Sequence, residues 1–176
     1  MDFFTTYPSP VGRLTLGSDG QYLIGLWIEG QKYFGSTLEG PLSEREDLPV
    51  FAAAKEWLDR YFARERPEPD TLPLRLKGSA FQKRVWKLLC EIPYGEVTTY
   101  GALASKVAEQ MGRSSMSGQA VGGAVGHNPL SIVVPCHRVV GSDGSLTGYA
   151  GGIKRKVSLL KLEGADMTKL YVPKQK

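Results

Sequence analysis

Residues 132–141, IVVPCHRVVG, set a cysteine beside a histidine at the end of an apolar run. The chain holds only Cys90 and Cys136, and only His127 and His137, so one of each side by side needs a reason. A thiolate next to an imidazole is a nucleophile next to its base. In a plain extended strand, however, neighbouring side chains point to opposite faces, and the pair would be chemically idle. Either the chain bends at Pro135 or the pair has no meaning. If it bends, Cys136 sits at the mouth of a turn whose backbone N–H groups favour the thiolate. His137 would then take the proton, through a water if necessary, and would need a carboxylate to orient it. Glu163 and Asp143 are the nearest candidates along the chain. Cys90 reads instead as a small apolar core residue.

Little else competes for the chemistry. Two cysteines, two histidines and no C-x-x-C argue against a structural zinc site, so no metal is expected. The GGAVG of residues 122–126 has no G-K-[ST] after it and is not a phosphate loop. No cofactor is expected. A hydrophobic fraction of 41% with 23% charged residues is ordinary for a soluble globular chain. No apolar run approaches the roughly 20 residues that cross a bilayer. The start, MDFFTTYPSP, lacks the basic and apolar regions of an export signal. A reducing cytoplasm is the expected location.

The net charge of +4 conceals an asymmetry: residues 1–70 hold 7 Lys and Arg against 12 Asp and Glu, and the remainder holds 15 against 6. The second part thus carries the positive field expected of a nucleic-acid binder, or of mere solvation.

The elements that must position the cysteine read as follows. Residues 2–29 alternate short β-branched and aromatic runs with Gly and Pro, and GSDG at 17–20 marks a hairpin turn. Phe51, Ala54, Leu58, Tyr61 and Phe62 recur at helical spacing over 48–65, a helix able to cover the sheet. The proline-rich stretch 66–78 reads as a linker, with the domain boundary near residue 75. Ser79 is a candidate N-cap for a helix over 79–92, with Phe81, Val85, Leu88 and Leu89 as its apolar stripe. Helices follow over 98–112 and 117–127, then a strand SIVV at 131–134, a turn GSDG at 141–144 and a last helix over 153–164. The expected fold class is mixed α/β (α+β). An N-terminal antiparallel sheet with a covering helix fills 1–75. A mostly helical domain with a helix-turn-helix and a short sheet fills 76–166, and 167–176 is a tail.

The two helices at 98–112 and 117–127 have the spacing of a helix-turn-helix. A base-reading second helix carries long polar side chains. This one offers Gly118, Gln119, Ala120 and Gly122, which suit close backbone approach to phosphates without a sequence code, or tight packing in a core.

VPCHRVV followed by GYAGG at 148–152 and LLKLEG at 159–164 closely resembles the O6-alkylguanine-DNA alkyltransferases, also called methylated-DNA–protein-cysteine methyltransferases. The resemblance covers most of residues 79–164. It implies single-turnover transfer of an alkyl group from O6-alkylguanine, with O4-alkylthymine as a secondary substrate, in double-stranded DNA to Cys136, after the damaged base is flipped out. It implies roles as well. His137 is the base acting through a water, Glu163 its carboxylate partner, and Asn128 the brace of the active-site turn. Tyr100 contacts the base, while Val139, Tyr149, Ala150 and Gly151 form the pocket wall and lid. Gly118, Gln119, Ala120, Gly122, Arg138, Lys154 and Arg155 face DNA. From the charge of the side chains alone, Lys83, Arg84, Lys87 and Lys156 are expected to join Lys154 and Arg155 in contacting phosphates. No membrane and no obligate protein partner are expected, and the chain should act as a monomer. Two departures stand out. The family carries an arginine where this chain has Gln119, and the preceding turn, 109–118, is longer than usual. A Cys-His thiol hydrolase and a non-catalytic lesion binder are the competing functions.

Overall fold

The computed structural model describes residues 1–173 and divides into two compact units. One comprises Met1–Lys77 together with Pro129–Val133; the other comprises Gly78–Asn128 and the chain from Val134 onward.

The first unit is built on strands β1 (Asp2–Ser9), β2 (Gly12–Ser18) and β3 (Leu23–Ile28), a meander of antiparallel neighbours. A short strand β4 (Leu42–Glu44), absent from the sequence reading, adds to β1 in parallel, giving the order β3-β2-β1-β4. Helix α1 (Pro49–Phe62) packs on β2 and β3. Its buried stripe of Phe51, Ala54, Leu58 and Tyr61 is extended by Val50 and Trp57, while Phe62 lies at the margin. Gly17 and Gly25 face each other across β2 and β3 because the Trp27 ring fills the space above them. A Cβ on Gly25 would stand 2.0 Å from that ring. The proline-rich stretch is not a free linker. Trp57 Nε1 donates to the Glu68 carbonyl at 2.9 Å, Leu72 is buried, and Leu74 bridges Leu23.

The second unit packs α2 (Ala80–Leu89), α3 (Tyr100–Gln110) and α4 (Gly118–Gly126) on one another. Each begins at a hydroxyl cap. Ser79 forms a capping box with Gln82, and Thr99 and Ser117 accept from Ala102 N and Ala120 N. Trp86, which the stripe omitted, is buried and donates its indole N–H to the Ala124 carbonyl at 2.8 Å, fixing α2 to α4. Strand β5 (Thr98–Thr99) pairs in parallel with β6 (Val139–Val140), so the start of α3 is tied to the segment after the cysteine. Helix α5 (Ile153–Leu162) completes the unit.

Two expectations need correction. Residues 131–134 form tight turns, not a strand. Ser131 O accepts from Val133 N at 2.8 Å around Ile132, whose φ is +72°. That is a γ-turn of the rarer hand at a β-branched residue, a costly backbone conformation. An apolar run buried on all sides has no alternation to distinguish strand from turn. The expected tail is also partly structural. Met167 and Leu170 pack against Val140, Leu146 and Leu160, and the Tyr171 backbone pairs with Gly144 and Leu146. Residues 174–176 of that tail lie outside the described residues. Among the described residues, no helix is long and apolar enough to cross a membrane.

Candidate active site

The chain does bend at Pro135. Its φ of −83° and ψ of 65° form an inverse γ-turn, closed by Cys136 N donating to the Val134 carbonyl at 2.8 Å. Cys136–Arg138 then make one turn of 3-10 helix before β6. This geometry releases the neighbours Cys136 and His137 from the alternation of a strand.

Asn128 holds the bend. It is buried, and its Nδ2 donates to Val134 O at 2.7 Å. Its side chain also hydrogen-bonds to the Cys136 sulfur.

His137 is wholly buried, and its Nε2 lies 2.6 Å from Glu163 Oε2. Asp143, the other candidate carboxylate, is taken by the Tyr171 hydroxyl. Glu163 receives a fork from Arg138, with Nε on Oε1 at 2.8 Å and Nη2 on Oε2 at 3.1 Å. Arg138 Nη1 donates to the Ile92 carbonyl at 2.6 Å, and Glu163 Oε1 also accepts from Gly95 N at 3.2 Å. Arg138, expected to face DNA, is therefore turned inward and spent on the carboxylate. Burial alone would raise the Glu163 pKa, but the His137 and Arg138 contacts outweigh it and hold the carboxyl well below its usual range. For His137 burial dominates and lowers its pKa; Glu163 pulls it up, and the Arg138 and Lys156 charges push it down further. His137 is thus neutral at neutral pH. Its Nδ1 is buried with no hydrogen-bond partner among the described residues.

Cys136 is 4% exposed. Burial pushes its thiol up, against the pull of the Asn128 hydrogen bond, the Lys156 charge and its own backbone. Tyr100, at the start of α3, is half-buried and donates its hydroxyl to the Thr147 carbonyl at 3.3 Å. Burial, reinforced by the charge on the Cys136 sulfur, pushes this phenol up to about 12. Gly148 makes the approach possible: its φ is +75°, and a Cβ there would meet Tyr100 Oη at 3.0 Å. Val139 is buried behind the cysteine turn. Tyr149 is buried with its ring edge-on to His137, at 6.3 Å between centroids. Ala150 is half-buried, and Gly151 is buried with its carbonyl near Arg155 Nη1 at 3.5 Å.

The remaining candidates lie at the surface of the same unit. Gly118, Gln119 and Ala120 are exposed on the first turn of α4, and Gly122 is half-exposed. A Cβ added at Gly118, Gly122, Gly123 or Gly126 would touch nothing, so this helix presents an open, low face. Lys154 is exposed and Arg155 half-buried, but Lys156 points inward and is wholly buried. The sequence reading missed that inversion. The signal was available: Ile153, Lys156, Leu160 and Glu163 fall on one helical face, so the lysine shares the stripe of buried residues and the site's carboxylate.

Comparison with known proteins agrees along the whole chain. Residues 3–76 match the ribonuclease-like domain of 6-O-methylguanine DNA methyltransferase, and residues 80–165 match its DNA binding domain. A methylated-DNA–protein-cysteine methyltransferase of Haemophilus influenzae is 42% identical over 92% of this chain and 86% of its own. One of Mycobacterium bovis is 45% identical over 96% and 98%. Among solved structures, the O6-methylguanine methyltransferase of Mycobacterium tuberculosis is 44% identical with a TM-score of 0.76, covering 96% of this chain and 98% of that one. A structure of Mycobacterium tuberculosis OGT in complex with DNA also has a TM-score of 0.76, at 44% identity over 92% of both chains. With both halves matched, and relatives this similar over nearly their full lengths, the chain belongs to the 6-O-methylguanine DNA methyltransferase family.

Proposed function

We propose that this protein repairs DNA by direct reversal, moving the alkyl group of O6-alkylguanine onto Cys136 in a single irreversible turnover. The observation that carries this reading is the buried relay behind the cysteine: Arg138 on Glu163, Glu163 on His137 Nε2, and an unpartnered Nδ1 left as a base.

An O6 alkyl group is inaccessible inside a stacked duplex, so the nucleotide is swung out, against a few kcal/mol of stacking and pairing. The exposed face of α4, with Gln119 and its small neighbours, is assigned to the duplex, and Lys154 and Arg155 to phosphates. Val139, Tyr149, Ala150 and Gly151 border the base. His137 Nδ1 takes the thiol proton through a water, with Glu163 absorbing the charge that develops on the ring. The sulfur attacks the alkyl carbon in line, the S–C bond forms as the C–O6 bond breaks, and the electron pair leaves on the guanine oxygen. The Tyr100 hydroxyl, which keeps its own proton throughout the neutral range, hydrogen-bonds that oxygen as charge builds. The guanine regains one proton, so thiol and alkylguanine become thioether and guanine. A thioether is a poor leaving group, and the reaction stops there.

In this reading residues 76–166 carry the chemistry and the DNA contact, and the protein acts as a monomer in the cytoplasm, where its thiol stays reduced. A thiol hydrolase would turn over repeatedly, and a lesion binder has no use for Cys136. The test is intact mass after incubation with excess O6-methylguanine duplex. The expected gain is one methyl group per chain, mapped to the Cys136 peptide, with no further turnover. Continued release of repaired DNA beyond one equivalent, or binding without mass gain, overturns the proposal.

A further inference from the structure

Lys156 is the largest charged side chain among the fully buried residues. A buried ammonium needs partners for three N–H groups. The Val139 carbonyl takes one at 2.6 Å and the Thr147 carbonyl another at 2.8 Å. No acceptor among the described residues takes the third. The two carbonyls are informative. Val139 follows the cysteine turn directly, and Thr147 precedes Gly148 and Tyr149 at the edge of the site and also accepts from Tyr100.

The charges around Lys156 point the same way. Cys136 and His137 act on it directly, Tyr100 shares its Thr147 carbonyl, and Glu163 and Arg138 stand behind His137. Arg138 and Glu163 cancel each other through their fork. His137 and Tyr100 are neutral at neutral pH. With Cys136 as a thiol, one positive charge remains unbalanced among these buried side chains. Burying such a charge without compensation is unfavourable. Ionising Cys136 sets a negative charge against the ammonium, whose charged form is favoured by its bonds to the Val139 and Thr147 carbonyls.

We propose that Lys156 is the counterion of the attacking sulfur, a positioning residue whose ammonium, held by the Val139 and Thr147 carbonyls, balances the Cys136 thiolate and secures the two segments beside it. This assignment rests on the alkyl-transfer reading but is separate from the base role of His137. His137 removes the proton; Lys156 makes the charge left behind tolerable. Consistent with this, burial pulls the Lys156 ammonium down to about 8 while the Cys136 sulfur pulls it up.

The test compares Lys156→Met and Lys156→Arg with the wild-type protein. Iodoacetamide modification, read on the Cys136 peptide across pH, gives the thiolate midpoint without DNA. Methyl uptake from O6-methylguanine duplex gives the transfer rate. Lys156→Met should raise the midpoint by about one pH unit and slow transfer at pH 7.5 about tenfold, while Lys156→Arg stays near the wild type. A folded Lys156→Met whose midpoint is unchanged overturns the proposal, even if transfer slows, because lost packing alone would do that. If Lys156→Met does not fold, the wild type decides. With 13C-labelled lysine, the Lys156 resonance should titrate at lower pH once iodoacetamide has capped Cys136, since the coupling is reciprocal. An unchanged titration overturns it. Failure of the wild type to take up methyl would instead overturn the functional reading and leave the thiol measurement readable.

Discussion

A histidine can serve as a base only through a nitrogen that is not already a donor. Glu163 settles which one that is. Held ionised by Arg138, it accepts the Nε2 proton of His137 and leaves Nδ1 as the lone pair. The carboxylate thus fixes the tautomer, the ring orientation and the charge tolerance of the imidazole together. Glu163→Gln tests this. The amide cannot carry the charge, and one of its ends faces Arg138 with N–H against N–H. Breaking a buried ion pair from one side typically destabilises by about 3 kcal/mol or more, which urea unfolding would read. Methyl transfer should fall roughly a hundredfold, as general-base assistance is lost. A variant that is destabilised but transfers at the wild-type rate would show that the ion pair serves folding only.

At the scale of elements, α4 is the helix whose composition departs furthest from ordinary use. Nine residues, Gly118–Gly126, contain four glycines, which lower helix stability by roughly 1 kcal/mol each relative to alanine. Its Ser117 cap and the buried Val121, Ala124 and Val125 keep it folded, and the glycines leave its outer face low and open around Gln119. Gln119 is exposed on that face with no charge. Gln119→Arg should therefore tighten binding to a duplex. It should also steepen the fall of log K with log salt by about 0.9, the effect of one added phosphate neutralisation. Titrations at several salt concentrations measure this, and an unchanged slope would place Gln119 away from the phosphates. The helices were legible in the sequence because their apolar spacing and their hydroxyl caps, Ser79, Thr99 and Ser117, agree. The bend at Pro135 was legible as an alternative, Glu163 as one of two candidate carboxylates, and the parts of Asn128 and Tyr100 came from resemblance, not spacing. What the sequence hid were inversions of ordinary behaviour. Arg138 and Lys156 sit inside because a carboxylate and two carbonyls await them, and no local pattern announces partners 25 or 17 residues distant. The turns at 131–134 were hidden for the opposite reason: all four residues are buried and three of them, Ile132 to Val134, are apolar, so nothing distinguished them from a strand.

At the scale of the whole molecule, the two units should respond differently to acid. The second unit buries His137 and Glu163, both with folded pKa values below their unfolded ones. A group of this kind binds more protons unfolded than folded, so the unit is destabilised as pH falls. The loss begins as pH drops through about 6.5, where an unfolded histidine protonates, and deepens below about 4.5, where an unfolded glutamate does. Cys136 and Tyr100 are shifted the other way, so their contributions are lost only on the alkaline side. In the first unit the lowered carboxyls, Asp19 and Asp47, lie near the surface, and that unit holds no histidine. Hydrogen exchange at pH 7 and pH 5.5, corrected for intrinsic rates, should therefore show protection falling across residues 136–140 and α5 while β1–β3 hold. In Asn128→Ala, which loses the brace on Val134 but keeps the buried imidazole, the same acid-dependent fall should persist from a lower starting protection. Equal losses in both units would mean that acid acts on the molecule as a single cooperative body, and that the buried relay does not govern where it opens first.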